Sequence, residues 1–252
     1  MTEKTKKLIS TIAYPLVIVG GIGVVWQILA IISGSEFIMP KPASAIKEFF
    51  AILSSLAFYE ALGETLFRVL LSYAVSFAFA LGFALLSVLF PPVKKLLSPL
   101  VSIVRALPTM AVVLILVIWT GAKTAPIIVS LLVIMPTIYS AFEGAFSGVD
   151  KDFIDVCKVN GGGKRALVKE VYLPIGLPNV THSVSGALSL TVKLMIASEV
   201  LANTAGSIGA MMQTSRVYFE TATLMALTVW AVIVSLVMEK LLYLLLSKLW
   251  KK

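Results

Sequence analysis

The chain has 252 residues, 59% of them hydrophobic and 13% charged, with a formal charge of +8 and a mean hydropathy of +0.99. Soluble domains carry roughly 45–50% apolar and about 25% charged residues, so this composition excludes an ordinary soluble enzyme and places the chain in lipid. A single cysteine, Cys157, and a single histidine, His182, exclude an intrachain disulfide and a zinc or iron centre, and the basic residues lack the aromatic interleaving of a nucleic-acid surface.

Largely uncharged runs of about 20 residues, enough for a helix to cross a hydrocarbon layer of roughly 30 Å, recur along the whole sequence. They predict spans near Ile12 to Ile32, Val69 to Phe90, Leu96 to Trp119, Ala125 to Phe146, Leu177 to Leu201 and Phe219 to Leu246. The expected fold class is therefore an all-α membrane protein of about six transmembrane helices, forming one domain over residues 1–252. The first run follows Lys4, Lys6 and Lys7. It is too long for a signal-peptide core and lacks a small-residue cleavage pattern, so a retained helix is expected.

If the N-terminus is cytoplasmic, the inside segments hold Lys4, Lys6, Lys7, Lys94, Lys95, Lys151, Lys158, Lys164, Arg165, Lys169, Lys248, Lys251 and Lys252. The outside segments hold only Lys41, Lys47, Lys123 and Arg216. Cytoplasmic loops carry the excess of Lys and Arg, so both termini are expected inside.

Between the first two spans, Ile46, Phe49, Phe50, Leu53 and Leu56 recur at helical spacing behind Pro40, Pro42 and Ser44. This predicts an outer amphipathic helix, either lying in the interface or serving as a plain packed connector. Within the spans, Gly82, Pro99, Pro108, Pro126, Pro136 and Gly186 suit kinked helices that line a cavity, and Pro108 is placed on the expected solute pathway.

The loop after the fourth span, Asp150 to Pro174, is too charged for lipid and too regular for a slack linker. From Asp152 on, Phe153, Val156 and Val159 form one apolar helical stripe. Gly161, Gly162 and Gly163 then supply a helix stop of the kind that needs left-handed backbone angles. A second short helix, Lys164 to Tyr172, is expected to end where Pro174 and Pro178 open the next span, giving a rigid helical hairpin.

Span five carries Lys193 and, near its end, Glu199. A charge at the bilayer centre costs about 2.5–3.5 kcal/mol on insertion scales and faces a cavity or a partner. Six residues put them about 9 Å apart along a helix and roughly 240° around it, so they are not expected to pair. Two readings stay open. Lys193 lines the substrate pathway with Glu199 near an outer gate, or Lys193 bonds backbone carbonyls while Glu199 snorkels outward. Arg105 reads as an interfacial anchor and His182 as a helix-helix hydrogen-bonding group.

The hairpin resembles the signature loop of permease subunits of binding-protein-dependent ABC importers: E-A-A, three residues, Gly, nine residues, Ile, one residue, Leu-Pro. Asp155, Val156 and Cys157 fall on E-A-A, Gly161 on the glycine, Val171 on the isoleucine, and Leu173 and Pro174 on the final pair. The acid is kept in type and both alanines are replaced. The likeness extends to the nitrate, sulfonate and taurine branch at Pro40-Lys-Pro-Ala-Ser44, Leu66-Phe-Arg68-Val69, Arg105-Ala-Leu-Pro108, Ala197-Ser-Glu199 and Gly206 to Gly209. Near Lys193 that branch usually carries an aromatic or apolar residue.

The resemblance implies a type I importer permease fold in a prokaryotic inner membrane, working by alternating access. It also implies a second permease copy, two cytoplasmic ATPase subunits docked through the hairpin, and an extracytoplasmic solute-binding protein. No cofactor is expected in this chain, ATP and Mg belonging to the partner ATPase. Consistent with that, the sequence has no G-x-x-x-x-G-K-[ST], and Gly161-Gly-Gly-Lys164 lacks both its spacing and its hydroxyl. An ion-gradient-driven carrier is the alternative, but no internal repeat with paired broken helices is visible. A membrane-embedded enzyme would need clustered His, Asp, Glu or Ser at one depth, and none appears.

Overall fold

A computed structural model describes the backbone of residues 3–250, with side chains described at 14, 17, 18 and from 20 to 250. In chain order the helices are α1 (Glu3–Ser33), α2 (Pro42–Ala51), α3 (Leu56–Leu89), α4 (Pro91–Ala106), α5 (Thr109–Thr120), α6 (Ala125–Ser147) and α7 (Lys151–Val159). There follow α8 (Lys164–Ala166), a π turn (Leu167–Tyr172), α9 (Leu173–Asn179), α10 (Thr181–Ala202), α11 (Ile208–Val217) and α12 (Thr221–Leu249). Among the described residues, α3, α6, α10 and α12 are each long and apolar enough to cross a membrane, and α4 with α5 reaches that length only as a bent pair. Part of the first expected span, with Lys4, Lys6 and Lys7, has side chains outside the described residues. The described apolar piece of α1, Gly20–Ser33, is shorter than a span by itself.

The third expected span is not one rod. Its two helices meet at 92°, because Leu107 and Pro108 are both extended (ψ 132 and 108) and Pro108 cannot continue the ladder of α4. The second span also starts earlier than expected, since α3 opens at Leu56 and tolerates Glu60, Glu64 and Arg68 in its first turns.

The chain divides into two compact units, residues 1–58 with 212–230, and residues 59–211 with 231–252. In the first, Pro42 opens α2 behind an extended Lys41, as suits a residue whose missing N–H would be orphaned there anyway. Trp230 holds the unit: its ring stacks on Phe49 at 4.6 Å, and its Nε1 donates to Phe49 O at 3.2 Å. Trp26 Nε1 donates to Pro40 O at 2.9 Å, and Thr221 Oγ1 to Glu36 O at 2.7 Å. The stripe expected on the outer helix is split. Phe49 packs inward, whereas Ile46 and Phe50 are exposed and Leu56 belongs to α3.

In the second unit α6 and α10 form the centre. Phe142 and Phe146 of α6 are fully buried, Phe142 edge-on to Phe77 and Phe146 against Tyr172. Tyr73 donates to Val184 O at 2.9 Å, and Ser87 bonds Tyr139 at 2.9 Å. These pairings satisfy buried polar groups that lipid could not.

Candidate functional site

The loop expected to carry function is a hairpin with one exposed arm and one rooted arm. Asp150 starts α7 by accepting from Asp152 N at 3.1 Å, a side-chain cap for an otherwise unpaired donor. The helix stops in a Schellman turn: Gly162 N donates to Cys157 O at 2.9 Å and Gly161 N to Lys158 O at 3.0 Å, with Gly161 at φ +79. The glycine stop is therefore where the spacing puts it, and a second constraint accompanies it. A Cβ at Gly162 would sit 2.6 Å from Cys157 O.

On α7, Phe153, Val156 and Val159 are 56%, 60% and 87% exposed, so the apolar stripe lies open. Asp155 is exposed beside it, with Lys158 Nζ at 3.6 Å. Asp152, Asp155, Val156, Val159 and Asn160 line an open concavity of about 480 Å³, while Cys157 is half-buried on the other side of the helix.

The returning arm is anchored instead. Val171 and Tyr172 are buried, Leu173 is half-buried and Pro174 exposed. Tyr172 packs on Phe146, and burial pushes its hydroxyl above the ordinary tyrosine range. Lys164 Nζ lies 3.8 Å over the Phe90 ring. Gly176 touches the same Phe146, since a Cβ there would come within 2.6 Å of Cε1. Contrary to expectation, Pro174 does not end this arm. The helical run continues from Lys164 to Asn179 through the π turn, a local adjustment that lets a chain pass residues without a donor.

A second constellation is buried. Glu199 has no exposed surface. Its carboxylate accepts from Arg68 Nη1 at 2.9 Å, from Thr65 Oγ1 at 2.9 Å and from Gly209 N at 3.4 Å. Thr65 Oγ1 in turn accepts from Ile208 N at 3.1 Å. Arg68 reaches outward to Glu64, 3.1 Å away and 61% exposed. Glu199 does not snorkel outward, since its carboxylate is sealed and bonded inside the protein. Three of the sequence stretches singled out above, Leu66 to Val69, Ala197 to Glu199 and Gly206 to Gly209, meet in this one cluster. Gly209 is required there, because a Cβ would lie 2.6 Å from Val200 N. Asn203, left-handed at φ 50, ends α10 and turns the chain back toward it.

Lys193 is exposed on α10, on the stripe shared with Leu190, Ala197 and Leu201, and among the described residues it has no ion pair or hydrogen bond. Pro108 sits at the break and caps α5 without a side-chain bond. Arg105 Nη2 donates to Pro136 O at 3.0 Å. His182 packs against Tyr243 with ring centroids 4.5 Å apart and the planes tilted by 31°.

Residues 74–251 match the family model described as binding-protein-dependent transport system inner membrane component. The chain belongs to this family. It is 25% identical over 208 residues to the taurine transport system permease protein TauC of Escherichia coli, covering 80% of this chain and 75% of that one. To the riboflavin transport system permease protein RibX of Chloroflexus aurantiacus it is 26% identical over 228 residues, covering 87% and 85%. Its fold is shared with the inward-facing MetNI methionine ABC transporter at a TM-score of 0.63 and 17% identity, over 74% of this chain and 93% of that one. The protein is thus a multi-pass permease subunit of an ABC importer, with ATP hydrolysed by a separate ATPase subunit. No observation favours an ion-gradient-driven carrier.

Proposed function

We propose that two copies of this permease, related by a two-fold axis in a prokaryotic inner membrane with both termini cytoplasmic, form the passage for a small solute released by an extracytoplasmic binding protein. Closed two-fold symmetry is the commonest way for identical subunits to assemble. Two ATPase subunits, which hold ATP and Mg, dock one on each hairpin. The observation that carries this is the open stripe of Phe153, Val156 and Val159 beside Asp155, held on an arm whose return is rooted in Phe146. An apolar patch rimmed by charge on a rigid support marks a protein contact. Val171, Leu173 and Pro174 act as the root of the lever, Gly161 as its corner, and Cys157 as the packing inside that corner.

Lys193 and Pro108 are placed on the passage. A lysine on an exposed mid-span face is too costly to point at lipid, so that face meets water or the second copy. Its charge favours a solute that carries an anionic group such as a sulfonate, the group shared by the solutes named for the taurine and sulfonate relatives. Native mass spectrometry of the purified complex tests the assembly. Two identical permease chains with two ATPase chains are expected, and a complex holding one permease chain, or no ATPase, would sink the reading.

A further inference from the structure

A second charge without a partner stands beside the face that carries Lys193. On α10, His182, Gly186, Leu190 and Lys193 fall on one side of the helix, and Gly186 alone of the four is half-buried. Two contacts inside the second unit lay α12 along the N-terminal half of this face. His182 packs against Tyr243, and one turn on, the Glu239 Oε1 lies 4.0 Å from the point a Cβ on Gly186 would occupy. Positions rise on α10 as they fall on α12, so the two helices run antiparallel here. Glu239 is half-buried within its span. Among the described residues it has no ion pair, and neither does Lys193.

Gly186 and Lys193 are two turns apart, about 10 Å along the axis. A helical side chain leans toward the N-terminus of its own helix. Lys193 therefore leans toward Gly186, and Glu239, on the antiparallel helix, leans toward Lys193. The ammonium and the carboxylate approach across less than the two turns, yet do not close into an ion pair. Both charges are costly to hold inside a span, and the carboxylate keeps its accepting capacity free. A plain anion on Lys193 would bring negative charge toward Glu239, whereas a solute with an ammonium at its other end satisfies both groups at once. We propose that Glu239 is a specificity-determining residue of the passage, receiving the cationic end of a dipolar solute whose anionic end rests on Lys193. This rests on the reading of the Lys193 face as the passage.

The test places a reporter between the two charges, Leu190→Cys in a Cys157→Ser background, since Leu190 is exposed there. In the permease–ATPase complex in nanodiscs, the rate at which a small neutral methanethiosulfonate modifies the permease chain is followed against rising 2-aminoethanesulfonate, ethanesulfonate or ethylammonium. The dipolar probe should protect at about tenfold lower concentration than ethanesulfonate, the size of one charge-assisted hydrogen bond, and ethylammonium least. Glu239→Gln should bring the two sulfonates level, Glu239→Asp should keep their order, and Lys193→Gln should weaken protection by both. Equal protection by the two sulfonates with Glu239 in place overturns the proposal, as does an order that survives Glu239→Gln. Both outcomes leave the passage itself standing. The comparison of probes with Glu239 in place needs no charge variant, so a Glu239→Gln chain that fails to assemble does not shield the proposal. A reactive cysteine that no probe protects overturns it too. A cysteine that stays unreactive in the intact complex shows the face to be covered, and removes the passage reading together with the proposal.

Discussion

Arg68 and Glu199, 131 residues apart in sequence, meet as an ion pair of 2.9 Å in which the carboxylate is fully sealed from solvent. Thr65 and the backbone of Gly209 complete the carboxylate's bonding, so the pair satisfies the requirement that buried charges be both paired and hydrogen-bonded. Removing one partner strands the other. Glu199→Ala or Arg68→Met is expected to cost about 3–5 kcal/mol, and the joint Arg68→Met, Glu199→Leu exchange distinctly less. Thermal unfolding of the detergent-solubilised complex checks this. Single variants as stable as the parent would mean that the cluster is slack. Glu64→Gln, at the exposed end of the chain of bonds, should cost less than about 1 kcal/mol.

The hairpin was legible in the sequence and this cluster only in pieces, for physical reasons. A glycine stop and an apolar stripe are local, set by the angles and spacing of neighbouring residues, so Gly161 and the Phe153, Val156, Val159 face could be read directly. An ion pair between α3 and α10 depends on which helices pack together. The available signal was that Arg68 and Glu199 lie near the outer ends of their spans with opposite charge. Pro108 marks a kink in the sequence, but the 92° size of the bend was not legible there, because hydropathy counts apolar residues without recording their direction.

Topology follows from the lysine and arginine asymmetry. In a Cys157→Ser background, a cysteine at Ser35 should react with an impermeant maleimide from outside sealed cells, and one at Ser247 only after permeabilisation. External labelling of position 247 overturns the orientation.

For Lys193, the expectation is a loss of anion uptake without loss of insertion, since deleting an intramembrane charge lightens insertion. Lys193→Ala should lower uptake by about tenfold, the size of one charge-assisted hydrogen bond, and Lys193→Arg should keep most of it. Uptake into proteoliposomes of the solute captured by the partner binding protein, with ATPase activity followed in parallel, measures both. Unchanged kinetics in Lys193→Ala would remove this residue from the passage.

The last expectation concerns the corner of the hairpin, where two glycines are needed for different reasons. Gly161 is required by its angle: at φ +79 a non-glycine residue carries strain of about 1–3 kcal/mol, more for a β-branched side chain. Gly162 is required by space, because a Cβ would press on Cys157 O and Sγ. The turn therefore cannot relieve strain at Gly161 by moving one residue along. Gly161→Val should uncouple transport more than Gly161→Ala, and Gly162→Ala should also harm coupling although its φ is ordinary. Asp155→Lys should instead weaken ATPase docking, by reversing an exposed charge beside the apolar stripe while the turn stays intact. Substrate-stimulated ATP hydrolysis in reconstituted complexes reads the coupling, and co-purification of the ATPase reads the docking. The two should separate, with Gly161→Val complexes intact but poorly stimulated and Asp155→Lys complexes depleted of ATPase. If both variants keep parental stimulation and association, the hairpin does not transmit the motion.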